Sequence, residues 1–154
     1  VENFEEIIEK GYYYVDKTLL IKDLIDLRGK VNLFTRPRRF GKTLNMSMLR
    51  YFFEKSDEDR SHLFAGTKIM DAGRKYLEEM GQYPVISLSL KSMKQASYES
   101  AFHCLKEEIA REFKKRPQMI QNLTSEDDRT KYHLLMNRNA DDEEYLTSLK
   151  FLSE

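Results

Sequence analysis

Gly41-Lys42-Thr43 brings together three residue types that suit the phosphates of a nucleotide. Glycine lets backbone amides come close to an anion, and lysine carries a point charge to the β- and γ-phosphates. A hydroxyl in the first helical turn suits a Mg2+ ligand position. With the five residues before it, the tripeptide closes the pattern G-x-x-x-x-G-K-[ST], except that Arg36 stands where the first glycine belongs. Arg36, Arg38, Arg39 and Lys42 place four cations in those eight residues. The candidate nucleotide-binding residues are therefore Arg36, Pro37, Arg38, Arg39, Phe40, Gly41, Lys42, Thr43 and Leu44, and Thr43 is the candidate metal ligand.

Such a loop works when a strand feeds it and a helix leaves it, because the helix start offers unpaired amides and the positive end of its dipole. Val31 to Thr35 is an apolar run of the kind found in buried parallel strands, and Leu44 to Phe53 has helical spacing with Leu44, Met48, Leu49, Phe52 and Phe53 on its inner face. Met46 and Met48 read as core filler. Tyr83 to Leu90 forms a second expected strand, in which Ile86, Leu88 and Leu90 alternate with Ser87 and Ser89. Upstream, Asn3 and Glu6 open a short helix that Gly11 can end. Asp16 then caps a second, carrying Leu20, Ile21, Leu24 and Leu27, before Gly29. Downstream, the expected helices run over Ser97 to Arg116, Glu126 to Met136 and Asp141 to Phe151.

Tyr14-Val15-Asp16-Lys17-Thr18, followed by Arg36-Pro37-Arg38-Arg39-Phe40-Gly41-Lys42-Thr43 and then Tyr83-Pro84-Val85-Ile86, resembles the signature of the predicted AAA-type ATPases. That family accepts arginine at the first loop position. The resemblance implies an α/β fold of the P-loop NTPase type, an AAA-like core of which this chain holds the helix-rich N-terminal part, with ATP and Mg2+ as cofactors. It also implies that the Tyr14–Thr18 segment lies near the bound base. The residues themselves leave Asp16 as a helix cap, and the neighbouring tyrosines as either core packing or base stacking. In longer relatives a nuclease-like domain follows, which makes nucleic acid an expected partner of the full-length protein.

On this reading, residues 1–154 form one partial domain: helices over 1–29; strand, loop and helix over 30–54; a second strand over 83–90; and helices over 97–153. Hydrolysis of this type also needs an apolar strand ending in Asp or Asp-Glu, the Walker B strand, to hold Mg2+ and ready a water. No acidic pair follows such a strand, and the chain opens on Val1 and closes on Glu154. A fragment that binds ATP but hydrolyses it only within the full-length protein is the expectation.

Twenty-six basic and 26 acidic residues cancel, so attraction for phosphate has to be local. This balance weighs against the alternative, a non-catalytic nucleic-acid module using Arg36, Arg38 and Arg39. The single Cys104 excludes an internal disulfide, and no apolar run has the length of a membrane span. A cytoplasmic protein is the expected class.

Overall fold

The computed structural model describes residues 2–37 and 39–153. The chain divides into two compact units, Val1–Val85 and Ile86–Glu154.

The first unit is built from α1 (Phe4–Glu9), α2 (Leu19–Leu27), α3 (Lys42–Phe53) and the short α4 (Arg74–Leu77), with a 3-10 turn at Ser61–Phe64. Apolar residues at helical spacing give each piece one face to bury. Phe4 of α1, Ile21 of α2, Met48 and Phe52 of α3, and Leu63 and Phe64 of the turn meet in a single core with Ile69. The Phe64 ring sits 5.0 Å from that of Phe4 and 5.2 Å, edge-on, from that of Phe52, so one side chain joins α1 to α3. Aromatic pairs at such spacing add to the gain from burial alone. On the outer side of α3, Arg50 pairs with Glu54 at 3.1 Å, and Glu54 also holds Arg60 at 2.9 Å. α2 ends at Leu27, two residues before Gly29, because Arg28 itself adopts the left-handed conformation (φ 47°).

The second unit packs α5 (Tyr98–Lys114), α7 (Glu126–Met136) and α8 (Asp142–Ser153) around Ile109, Phe113, Tyr132, Leu135, Tyr145 and Leu152, with a single turn, α6 (Met119–Asn122), between α5 and α7. Side chains begin two of these helices: Ser97 accepts from the Ser100 amide, and Ser125 from that of Asp128. Asp141 and Glu144 cap each other's amides at 2.8 and 3.0 Å ahead of α8, which gives the acid-rich run there a local job. At the other end of α5, the buried Tyr132 hydroxyl reaches the carbonyls of Phe113 and Arg116 at 2.9 and 2.8 Å, groups that the helix end would otherwise leave unpaired.

The expected α/β class is not what the chain adopts. Among the described residues there is no strand and no sheet; the only pairing of that kind is an isolated parallel bridge between Glu54 and Tyr83. In it Lys55 donates to Tyr83 at 2.7 Å and Tyr83 to Phe53 at 2.9 Å. Val31 to Thr35 stays outside regular structure and leaves Val31 88% and Leu33 85% exposed. The second expected strand goes no further than its first residue: Tyr83 holds the bridge, whereas Ile86 packs in the core of the second unit. An apolar or alternating run says that a segment suits a sheet, but a strand exists only if another strand supplies its hydrogen bonds. Here nothing does. The chain is helix-rich, and a P-loop core wound on a parallel sheet is excluded for the described residues.

No helix among them is long and apolar enough to cross a membrane.

Phe64 and Leu33 test this picture in solution. Phe64→Ala should lower the free energy of unfolding by about 3–5 kcal/mol in a denaturant titration. Leu33→Ser should change it by no more than about 0.5 kcal/mol, as for other exposed positions. A loss above about 2 kcal/mol at Leu33 would mean that the segment is buried after all.

Candidate functional site

Gly41 starts α3 in the left-handed conformation (φ 73°), a backbone that residues with a β-carbon adopt only under strain. Two positions earlier Arg39 does the same (φ 68°) without a glycine's freedom. The chain thus turns sharply around Phe40 and enters the helix with no side chain capping it. Asn45 donates the first bond of α3, to the Gly41 carbonyl at 2.9 Å, so the amides of Lys42, Thr43 and Leu44 precede the intrahelical ladder. These are the groups that make a helix start attractive to an anion. The Lys42 ammonium folds back over the loop and donates to the Arg36 carbonyl, while the Arg36 guanidinium reaches the Thr35 carbonyl at 3.0 Å.

Beside this turn lies a cavity of about 340 Å³. Lys17, Arg36 and Lys42 supply its charge. Leu20, Phe34, Phe40, Met46 and Leu49 supply an apolar wall, and Asn45 adds one neutral amide. Among the described residues no carboxylate lines it. Its size lies within the range of small-molecule sites, about 300–1,000 Å³. A second cavity of about 310 Å³, bordered by Tyr51, Glu54, Glu58, Asp59 and Arg60, is different in kind. There the Arg60 guanidinium already pairs with Glu54 and lies 5.0 Å from the centre of the Tyr51 ring.

Of the candidate residues, Arg36, Phe40 and Lys42 reach the first cavity. Pro37, Arg39 and Thr43 are exposed beside it, Leu44 packs against the core, and Arg38 lies outside the described residues. The motif missed Lys17, Leu20, Phe34, Asn45, Met46 and Leu49. Three of these were within reach, since Lys42, Asn45, Met46 and Leu49 follow the i, i+3, i+4, i+7 spacing of one helix face. Met46 is 56% exposed and belongs to the cavity wall, so reading it as core filler was wrong; Met48, fully buried, is core.

The Tyr14–Thr18 segment contributes Lys17 to the cavity lining. Asp16 accepts from the Thr18 amide and hydroxyl through one oxygen, at 2.8 and 2.7 Å, and from the Lys68 amide through the other, at 2.8 Å. The Thr18 hydroxyl, fully buried, accepts in turn from the Ile69 amide at 3.1 Å. Tyr14 packs edge-on against Phe4 at 5.3 Å, and its hydroxyl meets the Lys17 amide and the Met48 sulfur, each at 3.3 Å. Tyr14 is thus a core residue, whereas Tyr13 stands 92% exposed. Burial pushes the Asp16 carboxyl up, but the hydrogen bonds from Thr18 and Lys68 outweigh it and hold the group below the ordinary carboxylate range.

A family model described as predicted AAA-ATPase matches residues 1–147. The chain belongs to that family. No curated protein and no solved structure matches it. In this AAA-ATPase family member, the Tyr14–Thr18 segment and the Arg36–Thr43 segment that carried the resemblance border one cavity.

The Asp16 clip has a pH signature. With the folded-state pKa below the unfolded one, its contribution is complete above the unfolded value, about 3.9, and is lost as pH falls through the folded value. Asp16→Asn would turn an amide donor toward the Lys68 amide or the Thr18 donors, and should cost about 1–3 kcal/mol at pH 7. In unfolding titrations across pH, the gap between wild type and Asp16→Asn should stay level above about pH 5 and narrow below about pH 4. A gap independent of pH down to pH 2 would remove the carboxylate from this role.

Proposed function

We propose that this chain binds ATP, with the Arg36–Leu44 turn receiving the phosphates and the apolar wall of the neighbouring cavity receiving the base. The observation that carries this reading is the composition of that cavity: Lys17, Arg36 and Lys42 at the uncapped start of α3, faced by Leu20, Phe34, Phe40, Met46 and Leu49. A triphosphate needs cations and amides at one end, and a base needs an apolar slot at the other. Membership of the predicted AAA-ATPase family supports nucleotide use in general.

Each residue then has a stated part. The free amides of Lys42, Thr43 and Leu44 donate to phosphate oxygens, and Lys42 exchanges the Arg36 carbonyl for a phosphate, so binding reshapes the turn around Phe40. The Arg36 guanidinium offers paired donors that suit phosphate geometry. This cradle rests on the helix start alone and needs no sheet behind it.

The residues fit Mg2+ only as a companion of the phosphates. Among the described residues no group of three or more His, Cys, Asp and Glu could hold a metal, so the Thr43 hydroxyl would be one ligand, with phosphate oxygens and water as the others. Bound magnesium would neutralise phosphate charge. Hydrolysis further requires a carboxylate that holds the metal and orients water. None among the described residues lines the cavity, so the residues present bind and orient a nucleotide without activating water.

Calorimetry and thermal melting with ATP and Mg2+ test the proposal. At a ligand concentration one hundred times Kd, binding should stabilise the chain by about 2.7 kcal/mol. Lys42→Ala should weaken binding by about tenfold or more while leaving the unliganded melting temperature nearly unchanged, since the side chain is exposed. Absence of both heat and stabilisation at millimolar ATP would refute the proposal. Binding of a nucleic acid that falls steeply with salt, without binding of ATP, would favour a role for the arginines on a polynucleotide backbone.

A further inference from the structure

Lys17 borders the same cavity as Arg36 and Lys42. We infer that Lys17 is a third phosphate-contacting cation of the nucleotide site, directed there by the Asp16–Thr18 clip. The inference rests on the nucleotide reading above and extends it to a residue far outside the motif.

Three observations lead to it. Lys17 borders the cavity that Arg36 and Lys42 also border, and among the described residues no acid lines that cavity to neutralise it. The adjacent carboxylate, Asp16, is engaged elsewhere: its two oxygens are taken by Thr18 and the Lys68 amide. Lys10, Lys22 and Lys75 of the same unit each salt-bridge to Glu6 or Asp26, whereas the Lys17 ammonium, like those of Lys30, Lys42, Lys55 and Lys68, has no such partner among the described residues; of these only Lys17 and Lys42 border the cavity. A lysine kept apart from its neighbouring acid, beside an apolar wall, is set for an anionic ligand.

The backbone around it is unusually well fixed for an exposed cation. The Lys17 amide bonds the Tyr14 hydroxyl, the next residue is fully buried, and the clip ties both flanks to Lys68 and Ile69. Only the side chain itself has freedom to lose on binding, which lowers the entropic cost of the contact. Three cations with no acid among them favour a ligand of several negative charges, a nucleoside triphosphate over a monophosphate.

The test compares wild type, Lys17→Met, Lys42→Met and Lys30→Met, each as the full 154-residue chain, by calorimetry with ATP, AMP and inorganic tripolyphosphate. Methionine keeps the apolar stem and removes the charge. Lys30 is exposed and outside the cavity, so it serves as the control. Lys17→Met is expected to weaken ATP and tripolyphosphate by the same factor, about tenfold, with AMP already weak in wild type and Lys30→Met within about twofold of wild type.

If Lys42→Met loses ATP while Lys17→Met stays within about twofold, the inference falls and the nucleotide reading stands. If Lys17→Met weakens ATP but not tripolyphosphate, the side chain touches base or ribose and the inference also falls. If wild type binds none of the three, both fall together. Should Lys17→Met lower the unliganded melting temperature, Lys17→Arg decides. Tripolyphosphate binding within about threefold of wild type supports a charge contact, and a loss equal to that of methionine overturns it.

Discussion

One buried hydroxyl organises the first unit. Thr18 has no exposed surface, accepts from the Ile69 amide, and donates to the Asp16 carboxylate that itself accepts from the Lys68 amide. Two segments some fifty residues apart in sequence are thereby joined through polar groups that would each be costly to leave unpaired. The aromatic core of Phe4, Phe52 and Phe64 provides burial without direction, whereas this clip is directional and sets where the Tyr14–Thr18 segment lies. Because Leu20 and Lys17 stand on either side of Thr18, the cavity wall inherits its position from the clip.

How much of this could be read from the chain follows from what each signal encodes. The 3.6-residue period is local, so α5, α7 and α8 lie within a residue or two of where apolar spacing and capping residues put them. The α3 start was legible to within two residues: the helix was expected from Leu44 and begins at Lys42, after the left-handed Gly41. Val31 to Thr35 misled because its composition reports a preference, while pairing depends on chain elsewhere. The cavity was half legible. Its loop residues sit in a pattern, but Lys17, Leu20 and Phe34 reach it by tertiary packing that no spacing in the sequence expresses.

Family membership and the absence of a sheet among the described residues stand together here. The match spans residues 1–147, and the phosphate-binding character proposed for the turn comes from amides, charge and helix dipole, all of which are present at the α3 start. A helix end can offer an anion site on whatever scaffold holds it. The scaffold in the first unit is a small aromatic core, a directional clip and a lone bridge at Glu54 and Tyr83.

The exposed ribbon from Val31 to Thr35 carries a practical corollary. Backbone outside regular structure, with Val31 and Leu33 bare and no proline or charge inside it, is a stretch onto which another molecule can add as a strand. Concentrated samples will be most prone to clumping through this stretch, and a lysine introduced there would act as a gatekeeper that keeps the chains apart.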